Sequence, residues 1–427
     1  MPNLKKKNIL LIEPAFPIPG KSRNHKSFLP IGLLKLASYY RKKGHNIQLV
    51  RGNLPRRRIL FNPDLILITS LFTYWSKYVR ETVQHYKKMF PSAKVIVGGI
   101  YASLMPEHCK EYTGCDEVFR GVHEAAEKCP PAYDLIFKGP IPYQVIHSSR
   151  GCIRRCRFCG AWKIEPCFTY KRSIKKEVVS NRLVFYDNNL LANPFIEDLL
   201  REIAELKYNG KPVRCESQCG FDGRLLTPKL AQLIRKARFD YPKIAWDGPY
   251  TEWPAIEKQI KMLVDVGYKS KDIQVFMLYN WEIPFEEMEK KRKKCWEWKV
   301  QIADCRYRPL NQTFDDYSPR IIGQTNKDYF IHEKWTDEEV KTFRRNVRRQ
   351  NICVRHQLPF YSATLERKKI SKEKINKLKE LPPEQNKKWL KDVWYPDQAP
   401  TYYPDLQGKI KQQETESKQL TKLNAYF

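Results

Sequence analysis

Short apolar runs alternate with longer stretches whose apolar positions recur every three or four residues. In the first part of the chain the runs are NILLIE (8–13), HNIQLV (45–50), DLILITS (64–70), AKVIVGG (93–99) and DEVFRG (116–121). Each has the length and β-branched character of a buried strand. Between them, PIGLLKLASYYRKKG (30–44) and YWSKYVRETVQHYKKMF (74–90) carry the helical period. Pro30 near the start and Gly44 at the end bound the first helix, and Pro91 stops the second. Strand and helix in strict alternation predict a parallel sheet with helices on both faces, a Rossmann-like domain over residues 1–128.

A Pro-rich stretch, CPPAYDLIFKGPIPY (129–143), reads as a linker. After it the alternation resumes. Strands are expected at QVIHSS (144–149), RLVFYDNN (182–189), KPVRCESQCG (211–220), YPKIAWDG (241–248), IQVFMLYN (273–280) and VQIADCRYRPL (300–310), with amphipathic helices between the later ones. Six such units over residues 144–311 predict a partial barrel of the TIM type, whose chemistry sits at the strand C-termini. Residues 312–427 read as a C-terminal extension, first helical (TDEEVKTFRRNVRRQNICVRH, 336–356), then Lys-, Gln- and Pro-rich and partly disordered. The fold class is therefore α/β, with a helical and irregular C-terminal segment.

Composition agrees with a globular chain: 427 residues, 42% hydrophobic and 13% aromatic. Charge adds something. With 78 Lys+Arg against 47 Asp+Glu the formal net charge is +31. That field favours a polyanion such as nucleic acid, or it is a solvated basic surface. Basic and aromatic residues mix in RGNLPRRR (51–58), KKRKKCWEWK (290–299) and FRRNVRR (343–349), a composition suited to single strands. The first apolar run is too short for a signal peptide, and LILITSLFTYW is too short to span a bilayer. A cytoplasmic protein without a membrane span is expected. Its twelve cysteines are then reduced, ligating or buried.

Three of them stand in SSRGCIRRCRFCGAW (148–162): Cys152, Cys156 and Cys159. A structural zinc site wants four ligands, and Cys167 is the nearest candidate for the fourth. Three thiolates alone suit a 4Fe-4S cluster with one iron left open. Arg150, Arg154, Arg155 and Arg157 would favour the thiolates and offset cluster charge.

The C-x3-C-x2-C loop, placed after a strand at the head of six strand–helix units and with Phe158 before its third cysteine, resembles the signature of the radical S-adenosylmethionine superfamily. The resemblance covers residues 144–310. It implies a cluster on Cys152, Cys156 and Cys159, with S-adenosylmethionine chelating the open iron. Reduction by an external donor of the flavodoxin or ferredoxin type then yields a 5′-deoxyadenosyl radical. It also implies Phe158 near the adenine. Where the family carries a Gly-Gly-Glu stretch this chain has FYDNN, which makes Asp187 and Asn188 the candidates for the methionine end. Asp247, in AWDGP, is the candidate for the ribose. In RCESQC, period two separates Cys215, Ser217 and Cys219 from Glu216 and Gln218, and either set can face the barrel; Cys215 and Cys219 are expected to be inert buried thiols.

The first domain resembles the cobalamin-binding domain that precedes the barrel in one radical S-adenosylmethionine class, through LPIGLLKLASYYRKKGHNIQLV, ITSLFTY, KVIVGGIYASLMPE and DEVFRGVHEAAEKCPPAYDL. The resemblance implies cobalamin as a cofactor, with Ser70, Gly98 and Gly99 beside its nucleotide tail, and methyl transfer to an unactivated carbon. The chain lacks the Asp-x-His-x-x-Gly motif that gives cobalt an axial histidine, and GVHE (121–124) replaces a Gly-Glu-Gly-Glu turn. A domain that kept the fold and lost the ligand stays open. So does a nucleic-acid-binding or RNA/DNA-modifying protein. SRGC (149–152) also resembles a methylthiotransferase loop, and those enzymes bind a second cluster in the first domain, where this chain has Cys109, Cys115 and Cys129. Cys295, Cys305 and Cys353 are too widely spaced to suggest an auxiliary cluster and are expected to be buried thiols.

Overall fold

The computed structural model describes residues 6–18, 29–366, 370–386 and 390–396. Disorder expected beyond residue 396 lies outside the described residues. Two compact units emerge: residues 1–243 with 308–316, and residues 244–307 with 317–427.

The first unit begins with a five-stranded parallel sheet made of β1 (Asn8–Glu13), β2 (Asn46–Arg51), β3 (Leu65–Ser70), β4 (Lys94–Gly99) and β5 (Glu117–Val118), in the order β2-β1-β3-β4-β5. Ile9 to Ile12 and Ile66 to Ile68 are buried on both faces, so their apolar runs are continuous rather than alternating. The helices α1 (Ile31–Lys42), α2 (Ser76–Met89), α3 (Ile100–Leu104), α4 (Pro106–Thr113) and α5 (Glu124–Glu127) follow. On α2, Val79, Val83 and Tyr86 form the i, i+4, i+7 stripe that meets the sheet. On the other face, Leu33 and Ala37 of α1 pack with Ile9, Leu11 and Leu67. Every strand of this domain coincides with an expected run to within a few residues, β5 being the most shortened.

The same unit continues with β6 (Gln144–Ile146), the antiparallel pair β7 (Ser149–Arg150) and β8 (Thr169–Tyr170) with α6 (Ala161–Ile164) between them, then β9 (Arg182–Phe185), α7 (Ile196–Glu205), the hairpin β10 (Lys207–Tyr208) and β11 (Lys211–Pro212), β12 (Arg214–Ser217) and α8 (Pro228–Lys236). Strands β6, β9 and β12 pair in parallel, each beside its predecessor.

Three more strands, β13 (Lys243–Ala245), β14 (Gln274–Tyr279) and β15 (Gln301–Arg306), are again neighbours in chain order, with α9 (Trp253–Asp265) and α10 (Phe285–Glu297) as crossovers. The second unit then holds α11 (Asp337–His356), opened by a capping box of Thr336 and Glu339. Last come β16 (Tyr361–Ser362), α12 (Lys372–Glu380) and β17 (Val393–Trp394), which share a core of Phe360, Tyr361, Leu378 and Trp394. The extension past residue 360 thus contains packed structure.

Candidate functional site

The cysteine loop begins where β6 ends. Ser148 and Ser149 are buried there, and one carboxylate organises both. Asp187, fully buried after β9, accepts from Ser148 N (3.0 Å), Ser148 Oγ (2.6 Å), Ser149 N (2.6 Å) and Ser149 Oγ (2.8 Å). Burial pushes its pKa up and these four donors pull it back. Asp187, expected to contact the cofactor, holds through Ser148 and Ser149 the strand that delivers the cysteines.

From there the loop leaves the β7–β8 pair and returns to it. Gly151 has φ +76, and a Cβ on it would lie 2.3 Å from the Cys167 carbonyl oxygen, so this turn needs glycine. Its N–H donates to Glu165 Oε2 at 2.7 Å. Cys152, Cys156 and Cys159 are all half-buried. Arg154 N donates to Cys152 Sγ (3.3 Å), Ala161 N to Cys159 Sγ (3.4 Å), and Trp162 Nε1 to the Cys156 carbonyl (3.1 Å). Two of the nearby arginines are tied to carboxylates: Arg154 Nε to Asp222 (3.0 Å) and Arg150 to Glu165 (2.7 Å). Phe158 is half-buried in the same loop. Asn188 is exposed at the end of β9, 3.4 Å from Glu165 Oε2.

Cys219, expected to be buried and inert, is exposed. Protein still crowds it, and that burial, with Asp187 nearby, pushes its thiol up to about 12, while Cys159 and Cys152 lie within electrostatic reach. Cys215 is buried as expected. Beside it, Lys243 is buried and paired with Glu216 at 2.9 Å.

Among the described residues no three His, Cys, Asp or Glu side chains stand close enough to share one metal ion. Cys167, the candidate fourth zinc ligand, is exposed. Three thiols on one loop, two of them receiving backbone N–H donors, are the donor chemistry of an iron–sulfur cluster, where the thiolates sit on different irons. The residues present fit that group.

The first domain presents a cavity of about 260 Å³ at the sheet's C-terminal edge. Leu36, Tyr40, Ile96, Phe119 and His123 form its wall, with Gly98 and Gly99 at its edge. Gly98 would carry a Cβ 3.7 Å from Phe119, an ordinary contact. Gly99 differs: at φ +100 its Cβ would meet the Ser70 carbonyl oxygen at 2.2 Å. Ser70 does not line the cavity; its hydroxyl donates to the Gly98 carbonyl (2.8 Å) and accepts from Ala102 N (3.1 Å), bracing the turn. The last residue of that turn's helix, and the residue after the last cysteine, meet: a Cβ on Gly160 would lie 3.3 Å from Leu104 and 3.4 Å from Leu310. The first domain and the cysteine loop thus pack directly.

In the second unit Asp247 is half-buried after β13. Its loop is pinned by Lys291, which is fully buried on α10 and donates to the carbonyls of Trp246 (2.8 Å) and Gly248 (2.9 Å). Burial pulls the Lys291 pKa down to about 8, against the attraction of Asp247. Arg292, next in the basic run 290–299, is also buried, bonded to Glu289 and Gln350. Neither belongs to a free basic face. Sequence reasoning missed Lys291, Glu165 and Asp222, because nothing local marks which charge is buried.

Three comparisons bear on this arrangement. Residues 26–128 match the family model of the B12 binding domain. Two solved structures resemble the chain over most of its length. One is the radical S-adenosylmethionine methyltransferase TsrM from Kitasatospora setae with cobalamin and a 4Fe-4S cluster bound, at TM-score 0.56 and 14% identity over 72% of this chain and 77% of that one. The other is TsrM from the same organism with tryptophan substrate and the SAM analog aza-SAM, at TM-score 0.54 and 14% identity over 71% and 73%. No curated protein matches the sequence. At this identity the likeness to those structures is one of fold, and the family match is confined to the B12-binding-type domain.

Proposed function

We propose that the chain is a cobalamin-dependent radical S-adenosylmethionine enzyme that transfers a methyl group to an unactivated carbon. One observation carries this reading: a three-cysteine loop of the radical type packs, through Gly160 and Leu104, against the glycine edge of a B12-binding-type domain. Cys152, Cys156 and Cys159 would hold the cluster, and the cavity beside Gly98 and Gly99 would take the nucleotide tail of cobalamin. Bound there, the two groups supply one-electron cleavage of S-adenosylmethionine to a 5′-deoxyadenosyl radical and a transferable methyl group. The chain's own residues do the rest. Asp187 fixes the strand before the cysteines, Glu165 closes their loop, Phe158 flanks the adenine and Asn188 faces the methionine end; Asp247, in a loop that Lys291 holds, is a separate cofactor-binding candidate.

A one-electron donor of the flavodoxin or ferredoxin type is the required partner, and a basic surface suits such acidic proteins. No helix among the described residues is long and apolar enough to cross a membrane. The test is anaerobic: reduced protein with S-adenosylmethionine should yield 5′-deoxyadenosine, and purified protein should carry iron and retain added cobalamin. A protein that retains both and yields no 5′-deoxyadenosine sinks the radical reading. The nucleic-acid reading predicts RNA or DNA binding that persists at physiological salt, and binding that vanishes near ~150 mM marks the charge as solvated surface.

A further inference from the structure

The cysteine loop has an outer side as well as the side that would hold iron. Strands β7 and β8 pair, so residues 151–168 form one loop closed at its foot. Three thiolates on one cluster must aim at a common centre, and residues between them are left to aim away from it. Ile153, Arg155 and Arg157 are exposed, Ile153 to 50%. The other two intervening residues are less so: Arg154 pairs with Asp222 at 3.0 Å, and Phe158 is half-buried. Lys163, on α6 in the same loop, is exposed too.

The charge of this loop is one-sided. From 150 to 176 nine residues are Lys or Arg and one, Glu165, is acidic. That carboxylate is taken up by Arg150 and the Gly151 N–H, each at 2.7 Å. The outer side therefore presents an apolar side chain among cations. An apolar centre in a charged rim is the anatomy of a protein interface, and electron-transfer encounters use small ones. Rim charge of one sign steers a partner of the other. Position favours an electron carrier over a nucleic acid. A substrate has to reach the open iron, the one that no cysteine of this loop holds. An electron has only to enter the cluster, and Ile153 and Arg155 are the chain neighbours of Cys152 and Cys156.

We infer that the outer side of the cysteine loop, centred on Ile153 and rimmed by Arg155, Arg157 and Lys163, is the docking surface for an acidic one-electron carrier protein of the flavodoxin or ferredoxin type. The inference rests on the radical reading above. In the step itself one electron leaves the carrier and enters the cluster. A flavodoxin passes from anionic hydroquinone to neutral semiquinone, a 2Fe-2S ferredoxin from its reduced to its oxidised form, and no bond is made or broken.

The experiment uses full-length, iron-loaded protein and follows the EPR signal of the reduced cluster after rapid freezing. Donors of opposite charge are compared: an acidic carrier (flavodoxin hydroquinone and, separately, reduced 2Fe-2S ferredoxin) and the methyl viologen radical cation. The variant Arg155→Gln/Arg157→Gln is set against Lys207→Gln/Lys211→Gln. The latter removes the same charge from the exposed β10–β11 hairpin, which enters β12 at the end of the parallel strands away from the loop. At low salt the loop variant should be reduced by the carrier roughly tenfold more slowly than wild type. The hairpin variant should match wild type, and the gap should close as salt rises. Viologen should reduce the loop variant at least as fast as wild type. Iron content shows whether the loop has survived. A loop variant that keeps the wild-type carrier rate overturns the inference, and so do two double variants that slow equally. If viologen slows as much as the carrier, the arginines act on the cluster's potential, and the inference falls. It falls too if the loop variant loses affinity for single-stranded RNA at an unchanged carrier rate, or if viologen reduces wild type and neither carrier does. Wild type that no donor reduces overturns the radical reading itself, a result distinct from the others.

Discussion

Two groups of thiols in the first unit show what proximity does and does not mean. Cys109 and Cys115 are both buried, where α4 ends at the left-handed Gly114. Cys109 donates its S–H to Cys115, and that bond, with burial, pushes the Cys109 thiol far above its ordinary range. Thr113 Oγ1 caps the Cys109 carbonyl at 2.7 Å. These sulfurs are packing atoms that satisfy each other. Cys152, Cys156 and Cys159 are half-buried on a loop that glycine lets turn. Backbone N–H groups reach the first and third, and arginines and carboxylates surround them. Ligation needs thiols that are reachable and electrostatically supported, and only the loop offers both. The same contrast weighs against a second cluster on Cys109, Cys115 and Cys129, since the Cys129 Sγ faces the Ala125 carbonyl within its own turn.

The largest expected effect separates the two groups outright. Changing Cys152, Cys156 or Cys159 to Ala should abolish the four-iron cluster's visible absorbance and 5′-deoxyadenosine formation. Cys109→Ala and Cys115→Ala should keep the iron. A triple loop variant that still holds four irons would break the comparison.

Next comes the turn that makes the loop. Gly151→Ala puts a Cβ against the Cys167 carbonyl at positive φ and should cost ~1–3 kcal/mol. Because the strain is local, iron content should fall further than global stability. Equal losses of both, by iron assay and thermal melt, would mean the loop is part of the core.

Cys109→Ala should cost about 1 kcal/mol, for one buried atom and its hydrogen bond. Denaturant melts read this. An unchanged midpoint would say that the buried pair contributes nothing.

Smallest of all is Gly98→Ala. Its Cβ has room beside Phe119, so stability should stay within about 0.5 kcal/mol. Gly98→Leu, reaching further into the cavity, should weaken hydroxocobalamin binding at the same melting temperature. Gly99 is unsuited to this test, since any side chain there strikes the Ser70 carbonyl before it reaches a ligand.

Much of the fold is legible along the chain. The apolar runs at 8–13, 64–70 and 93–99 became β1, β3 and β4, and the cysteine spacing fell in a loop after a strand. Side-chain orientation was less legible. That the Asp187 carboxylate turns to Ser148 and Ser149 could not be read along the chain. The run 290–299 looked like a basic face, yet two of its cations are among the most buried side chains of α10.

The difference has one physical origin. Strand and helix periods, glycine turns and loop spacings depend on neighbours two to four residues away, so the order of amino acids sets them directly. The partner of a charge depends on which distant segments the fold brings together. Arg150 meets Glu127 and Glu165, Lys291 meets the backbone of Trp246, and Gly160 meets Leu104. At those distances in sequence a charged side chain carries no mark of its partner, and burial turns a residue of ordinary chemistry into one that holds a loop or a ligand.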